Sequence, residues 1–222
     1  MRNPKPKLTE EAVLPFIYPI KGNTKLQRPS LPYHYDFFDI AFERRSTRRF
    51  GLLLPGQLDA LLWFAAKAIE VQVQPNGYVL SHRPSASAGA RHPIDILVCS
   101  NGPIPTVAYY NPFQHSLDIL VLDSATVKGL LAHINENLAM QQGVFLWLVA
   151  HPLRTIAKYD FAESLVWRDA GALLQQIQLT ATAINLASCP VGTLAEPFAE
   201  RLFGNSSKII SAGGIVVGNL EL

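Results

Sequence analysis

Apolar and polar positions along the chain fall into two periods, one close to 3.6 residues and one close to 2. Residues 167–194 (WRDAGALLQQIQLTATAINLASCPVGTL) carry Leu173, Leu174, Ile177, Leu179 and Ile184 with alanines between them. This spacing predicts a long helix, apolar on nearly all sides and so buried in the domain centre or in a subunit interface. Pro190 cannot continue a helix and Gly192 relaxes the backbone, so the helix is expected to run straight into a turn. Residues 35–45 (YDFFDIAFERR) predict a first helix with Phe38, Ile40, Ala41 and Phe42 inward. Residues 56–70 predict a second, apolar at Leu58, Leu61, Leu62, Phe64 and Ala65. Residues 78–82, 94–100, 106–110 and 117–122 read as strands, with turns at Asn76-Gly77 and Asn101-Gly102-Pro103. Residues 124–140 predict a helix capped by Ser124, 144–150 a buried strand, 196–203 a short helix and 209–217 a last strand. Helices and strands mix without a regular βαβ repeat, which predicts an α+β fold with a mainly antiparallel sheet packed by helices.

Residues 1–33 hold many prolines and few periodic apolar positions, and read as an extended N-terminal arm that wraps a neighbour or is partly disordered; residues 34–222 form the domain. Composition narrows the function classes. A net charge of +2 gives no electrostatic reason to expect nucleic acid. Two cysteines, Cys99 and Cys189, show no metal spacing, and a reducing cytoplasm fits them best. The longest strongly apolar run, 144–150, is too short to span a bilayer. No G-x-G-x-x-G opens a helix after a strand, no G-x-S-x-G elbow is present, and the six histidines form no H-x-x-x-H pair, so no metal site is expected.

Three stretches carry candidate chemistry. Arg44-Arg45-Ser46-Thr47-Arg48-Arg49 sets Arg44 with Arg48, and Arg45 with Arg49, four apart, so that a helical or turn-like backbone puts each pair on one side. Forked guanidinium donors with a serine hydroxyl suit a phosphate, although a solvated basic helix end has the same pattern. Pro84-Ser85-Ala86-Ser87-Ala88-Gly89-Ala90 offers small residues that let a flat ligand approach the backbone, or forms an ordinary polar loop. Pro190-Val191-Gly192-Thr193 offers backbone amides after the buried helix, or simply stops it.

In order and spacing the three resemble the FMN-dependent nitroreductase superfamily, and within it most closely the SagB-type azoline (thiazole/oxazole) dehydrogenases. PSASAGARHPID is similar to the P-S-A-G-A-x-x-P-x-E segment of that branch, with two extra residues and Asp95 for the acid. Tyr110-Asn111-Pro112 with His115 and Leu117 resembles its Y-x-P-x-x-H-x-L turn. Ala170-Gly171 with Gln175, Gln176 and Leu179 resembles its A-G-x-x-x-Q-N-x-x-L helix.

The resemblance spans roughly residues 40–218 and implies a nitroreductase-like homodimer with FMN at the interface. It implies that Arg44 binds the FMN phosphate with Ser46 beside it, and that Arg48 lies near the pyrimidine end. It also implies that Pro84, Ser85, Ser87 and Gly89 lie against the ring from the partner subunit, that Gln175 belongs to the site, and that the Val191-Gly192-Thr193 turn reaches the N5 edge. Many members complete the phosphate site with Lys or Arg after the last strand. This chain has none in its last six residues, so Lys208 or Arg45 would substitute. Lys158-Tyr159 matches the Lys-Tyr pair that precedes the central helix in the dehydrogenase branch, and its implied role is that of a base. The implied reaction is oxidation of a peptide azoline to an azole in natural-product maturation. The alternatives are an NAD(P)H-dependent nitro or quinone reductase and a degenerate flavin fold serving as scaffold in a biosynthetic complex.

Overall fold

The strand Val144–Ala150 (VFLWLVA) holds no polar side chain, and the structure uses both of its faces. In the computed structural model, which describes residues 2–30, 36–140, 142–195, 198–204 and 209–220, this strand, β9, lies in the middle of the main sheet. Phe145, Trp147 and Val149 point into one core, and Leu146, Leu148 and Ala150 into another. Alternate side chains of a strand leave opposite faces, so a continuous apolar run signals a sheet covered on both sides. The neighbouring strand β6 (Ile94–Ser100) divides the same way, Leu97 and Cys99 to the first core and Ile94, Ile96 and Val98 to the second.

The first core is closed by α3 (Ser124–Asn137) through Val127, Leu130, Leu131 and Ile134, and by α6 (Phe198–Phe203) through Phe198 and Ala199. The second is closed by α2 (Gln57–Ala66) through Leu61, Leu62, Ala65 and Ala66, and by α5 (Glu163–Ala183) through Val166, Ala170, Leu173, Ile177 and Ala181.

The sheet runs β11 (Leu186–Val191), β12 (Ile210–Leu220), β9, β6, β7 (Thr106–Asn111), β8 (Ser116–Leu120), β2 (Ile20–Lys25), with β3 (Phe50–Gly51) paired to the end of β12. Every pairing in it is antiparallel. The α+β architecture expected from the pattern is therefore present. β12 breaks register between Ser211 and Gly214, where Gly213 has φ +86°. A Cβ on Gly214 would stand 2.5 Å from the Leu146 carbonyl and the Phe145 ring. Only glycine lets the two strands approach this closely. Two small antiparallel pairs complete the chain: β4 (Glu70–Val73) with β5 (Val79–His82) around the Asn76-Gly77 turn, and β1 (Lys5–Pro6) with β10 (Tyr159–Asp160). A short helix, α4 (Pro152–Ile156), precedes β10.

Several expectations are corrected. The long helix α5 ends at Ala183, not at Pro190. Asn185 takes the left-handed conformation at φ +56°, a common way to terminate a helix. Residues 186–191 then form a strand, with Pro190 opposite Ile215. A proline is tolerated there because β11 is the sheet edge, where an absent N–H leaves no ladder bond unmade. Nor is α5 apolar all round: Trp167, Arg168, Gly171 and Gln175 are exposed. The second helix stops at Ala66, and residues 70–73 belong to the β4–β5 hairpin. The cap of α3 is Asp123, whose carboxylate accepts from the Thr126 N–H at 2.8 Å, not Ser124. The first helix, α1, spans Phe37–Glu43, and Phe38 and Phe42 do not point inward: they are 66% and 76% exposed, and Ala41 is exposed as well. Residues 35 and 196, where two expected helices begin, lie outside the described residues.

The N-terminal segment lies on its own chain. β2 extends the main sheet beyond β8. Tyr18 is buried and stacks on Tyr109 at 4.8 Å between ring centroids, and Phe16 packs edge-on against Phe203.

Candidate functional site

The loop 84–90 is fixed to the N-terminal half of α5 by one carboxylate. Asp169 accepts from Ser87 Oγ at 2.6 Å and from the Ala88 N–H at 3.1 Å, and Ser87 Oγ in turn accepts from the His92 N–H at 2.8 Å. Burial raises the Asp169 carboxyl above its ordinary value, against the lowering effect of these hydrogen bonds. Such a bonded turn holds Pro84 and Ser85 along a groove of about 570 Å³, with Ser85 itself 7% exposed.

Gly89 within this loop has φ +60°, and a Cβ there would lie 2.8 Å from Tyr159 Oη, 2.9 Å from Lys158 Cδ and 3.0 Å from Lys158 Cε. The two residues expected to act as a base therefore pack directly against the small-residue loop, although about 70 positions separate them in the chain. Beside them a cavity of about 380 Å³ is lined mainly by apolar groups, among them Ile156, Tyr159, Phe161, Val166 and Trp167.

The N-terminal segment covers this cluster. The Lys7 N–H donates to the Lys158 carbonyl at 2.8 Å and the Glu11 N–H to that of Ala157 at 2.9 Å. Glu10 sits between two cations: one oxygen lies 3.1 Å from Lys158 Nζ and the other 3.1 Å from Arg91 Nη2. Burial pushes the Glu10 carboxyl up, but the Lys158 hydrogen bond and the charges of Arg91 and Lys158 leave it below its ordinary value.

The arginine loop lies elsewhere. It leaves α1 at Arg44, whose backbone is extended rather than helical (φ −50°, ψ 123°), so the four-residue spacing does not place Arg44 and Arg48 on a common helix face. The loop is tied down by the Thr47 N–H donating to the Ser188 carbonyl of β11 at 2.9 Å and by the pairing of β3 with β12. Arg45 turns back to donate to the carbonyls of Phe42 and Arg44. Among the described residues, no acidic side chain pairs with Arg44, Arg48 or Arg49. Ser46 is exposed. At the other end of β11, Gly192 is exposed with nothing near the position a Cβ would take, and Val191 is half-buried. Thr193 does not present its hydroxyl freely: Oγ1 meets His133 Nε2 at 2.8 Å and accepts from the Ala195 N–H at 3.2 Å. Ser188 and Gly192 are four positions apart on or just beyond the strand, which is roughly 13 Å.

The sequence-derived residues thus form two groups within one chain. Arg44, Arg45, Ser46 and Arg48 lie on the loop tied to β11 at Ser188, with Val191, Gly192 and Thr193 at the far end of that strand, and Pro84, Ser85, Ser87, Gly89, Lys158 and Tyr159 gather near the start of α5. Asp169 and Ala183 are 14 positions apart in that helix, roughly 21 Å along its axis. Gln175 lies on the exposed side of α5. Lys208 lies outside the described residues.

Two resembling motifs are structural. Tyr110 Oη donates to the Leu62 carbonyl at 3.2 Å and meets His115 Nδ1 at 2.9 Å, and His115 Nε2 meets the Gln27 carbonyl at 3.2 Å, which stitches the β7–β8 turn to α2 and to the N-terminal segment. Asp95 is held bidentately by Arg154 at 2.7 and 2.9 Å, with His151 at 2.9 Å and Tyr18 Oη at 3.0 Å. Burial alone would raise its carboxyl, but the Arg154 and His151 charges hold it well below the carboxylate range.

Glu10, Asp169, Arg91 and Arg154 had not been singled out from sequence. A four-residue step places Asp169 on the same face of α5 as Leu173, a signal that a carboxylate there faces inward. Glu10 carried no local signal, because its partners come from distant segments.

The sequence matches the model of the nitroreductase family over residues 41–219. Among solved structures, a nitroreductase-like protein from Ralstonia eutropha superposes with a TM-score of 0.64 at 18% identity, covering 97% of this chain and all of that one. One from Anabaena variabilis gives 0.58 at 18% identity, covering 87% of this chain and 40% of that one. The Escherichia coli microcin synthetase McbBCD complex with truncated pro-MccB17 bound gives 0.61 at 15% identity, covering 90% and 79%. No curated protein sequence matches the chain. Among the described residues no helix is long and apolar enough to cross a membrane. With the family model spanning four-fifths of its length and the same antiparallel architecture in its structural neighbours, the chain belongs to the nitroreductase family.

Proposed function

We propose that the protein is an FMN-dependent oxidoreductase that dehydrogenates peptide azolines to azoles, with each flavin shared between two protomers. The observation that carries this reading is the packing of Lys158 and Tyr159 against Gly89. A carbon base is needed only when a proton must leave carbon as hydride leaves to the flavin, and nitro or quinone reduction by NAD(P)H has no such requirement. The similarity in fold to a synthetase complex that binds a pro-peptide supports the same direction.

The residues fit the cofactor in chemistry. Arg44, Arg48 and Ser46 offer forked donors and a hydroxyl for a phosphate, and among the described residues no carboxylate competes for Arg44 or Arg48. The Gly192 and Thr193 backbone amides, just beyond the end of β11, would donate to the polar edge of the ring. The flavin would supply two-electron redox capacity. The protein's own part is to bind it, to exclude water with the small-residue loop, and to accept the substrate proton at Lys158 Nζ, with Tyr159 Oη beside it to share or relay that proton. For Lys158 to accept a proton, the Glu10 carboxylate now bonded to Nζ has to give way to substrate.

The two groups are anchored on different elements, the arginine loop on β11 at Ser188 and the small-residue loop on α5 at Asp169, and in this reading each flavin takes one group from each protomer. A second copy supplies the missing half. The exposed side of α5 at Trp167 and Gly171, and the exposed phenylalanines of α1, are apolar or small surfaces such a copy would cover.

Lys158→Ala and Tyr159→Phe test the reading in anaerobic single-turnover reduction of the bound flavin by a synthetic thiazoline peptide. Both variants are expected to retain FMN and to lose the reaction by about a hundredfold or more, the scale of a lost general base. Undiminished rates in both would refute the assignment. Reduction by NAD(P)H at wild-type rates, with no reaction towards the thiazoline peptide in the unmodified protein, would make it a reductase.

A further inference from the structure

Between the N-terminal segment and the loop 77–92 lies a cavity of about 260 Å³, walled by Val13, Pro15 and Phe16 on one side and by Tyr78, Arg83 and Arg91 on the other. We propose that it binds a small oxyanion, a carboxylate or phosphate group, between Arg83 and Arg91.

The charges around it do not balance. Arg154 has its carboxylate: both terminal nitrogens go to Asp95, and one also donates to the His92 carbonyl at 3.1 Å. Arg91 is only partly satisfied. Its side chain is 0% exposed, yet only Nη2 finds an acceptor, Glu10 at 3.1 Å. Among the described residues Nε and Nη1 have no hydrogen-bond partner, and the guanidinium rests on the Tyr78 ring at 4.1 Å. Arg83 donates through Nε to Ser81 Oγ at 2.9 Å, and no carboxylate pairs with it among the described residues. Glu10 is also divided, since its other oxygen serves Lys158. Four cations, Arg83, Arg91, Arg154 and Lys158, therefore face two carboxylates, Glu10 and Asp95. The other titratable groups along the wall, His92, Tyr78 and Tyr109, carry no negative charge: burial lowers His92 and raises both tyrosines.

Buried guanidinium donors without acceptors are costly, and native proteins leave few of them. An anion with two or more oxygens supplies what Arg83 and Arg91 lack, because a planar fork donates to two oxygens at once. The volume is well above the ~30 Å³ of a single water, enough for a phosphate or a small carboxylate. The arginine loop 44–49 is not part of this wall: its backbone is tied to β11 by the Thr47 N–H donating to the Ser188 carbonyl. The proposal stands whether or not that loop holds FMN.

The test is calorimetric titration of the full chain, first saturated with FMN so that the arginine loop is occupied, with inorganic phosphate and, separately, with succinate, against chloride at matched ionic strength. Saturable binding of at least one, near one per protomer, is expected. Binding of phosphate alone identifies a phosphoryl ligand, and of succinate alone a carboxylate. Arg83→Gln should weaken the binding by about tenfold or more, and Arg91→Gln likewise in a variant whose circular dichroism matches the parent. Lys128→Gln, on the exposed side of α3, should leave it unchanged. The absence of saturable binding beyond the chloride control would overturn the proposal. So would affinity that survives Arg83→Gln, or that falls with Lys128→Gln, since the anion would then sit elsewhere.

Discussion

Replacing Gly89 with alanine puts one methyl group where the loop 84–90 meets Lys158 and Tyr159. The backbone there is left-handed, φ +60°, which costs an L-residue about 1–2 kcal/mol. The new Cβ would stand 2.8 Å from Tyr159 Oη and 2.9 Å from Lys158 Cδ. Both atoms are at or near the ends of flexible side chains, so they can retreat by several tenths of an ångström and add little to the loss of stability. The backbone term dominates. For a chain of this size it should lower Tm by roughly 2–8 °C, measured by thermal denaturation at fixed protein and FMN concentration. The retreat matters more for chemistry. Catalytic groups misplaced by around an ångström lose up to about a hundredfold, so flavin reduction by a thiazoline peptide should fall about tenfold or more while FMN stays bound. An unchanged Tm would refute the backbone argument. An unchanged rate in a folded, FMN-loaded variant would show that the packing of Lys158 and Tyr159 on this loop does not set the reaction.

Arg44→Ala should weaken FMN binding by about 1.5–3 kcal/mol, the scale of a charge-assisted hydrogen bond, read by fluorescence titration; unaltered affinity would return the arginines to a solvated loop. Ile177 is fully buried beneath the sheet, and Ile177→Asp should unfold the protein or leave it insoluble, checked by circular dichroism and sedimentation. His92 gives a pH dependence. Burial, followed by the Arg83 charge, lowers its pKa to about 4 from an ordinary 6.5. The unfolded chain then binds the proton more readily than the folded one. Stability from this group is complete above about pH 6.5 and is lost as pH falls towards 4, by up to roughly 3 kcal/mol. Urea denaturation of His92→Gln should show a flatter slope between pH 6.5 and 4, and an identical slope would refute it.

The sheet strands were the most legible part of the sequence. Residues 94–100 and 144–150 are apolar runs bounded by turns, and the structure begins and ends both strands where the pattern does. Local chemistry misled at two places. Pro190 and Gly192 read as a helix stop, whereas Asn185, tolerant of positive φ, had already ended the helix and left room for an edge strand. The phenylalanines of α1 have helical spacing and so read as core, but apolar periodicity reports a covered face without saying which molecule covers it. The N-terminal segment was illegible for another reason. Its contacts run from Lys7 and Glu10 to residues about 80 to 150 positions away, and no periodicity in a proline-rich stretch encodes such partners.

The place of β12 in the sheet bears on how the protein reaches its native state. This strand is made after every partner it joins: β3 at residues 50–51, β9 at 144–150 and β11 at 186–191. Until it is available, β9 has no neighbour on one flank and β11 has none at all, so two apolar strands stand with unpaired backbone. Closure of the sheet depends on contacts remote in sequence, which form slowly and leave such edges open to association in the meantime. A nascent chain ending near residue 204 holds almost all of the core residues yet lacks the strand that joins them. Synthesis and assembly of this fold are therefore separate events in time, and a chaperone that shields strand edges would act in the interval between them.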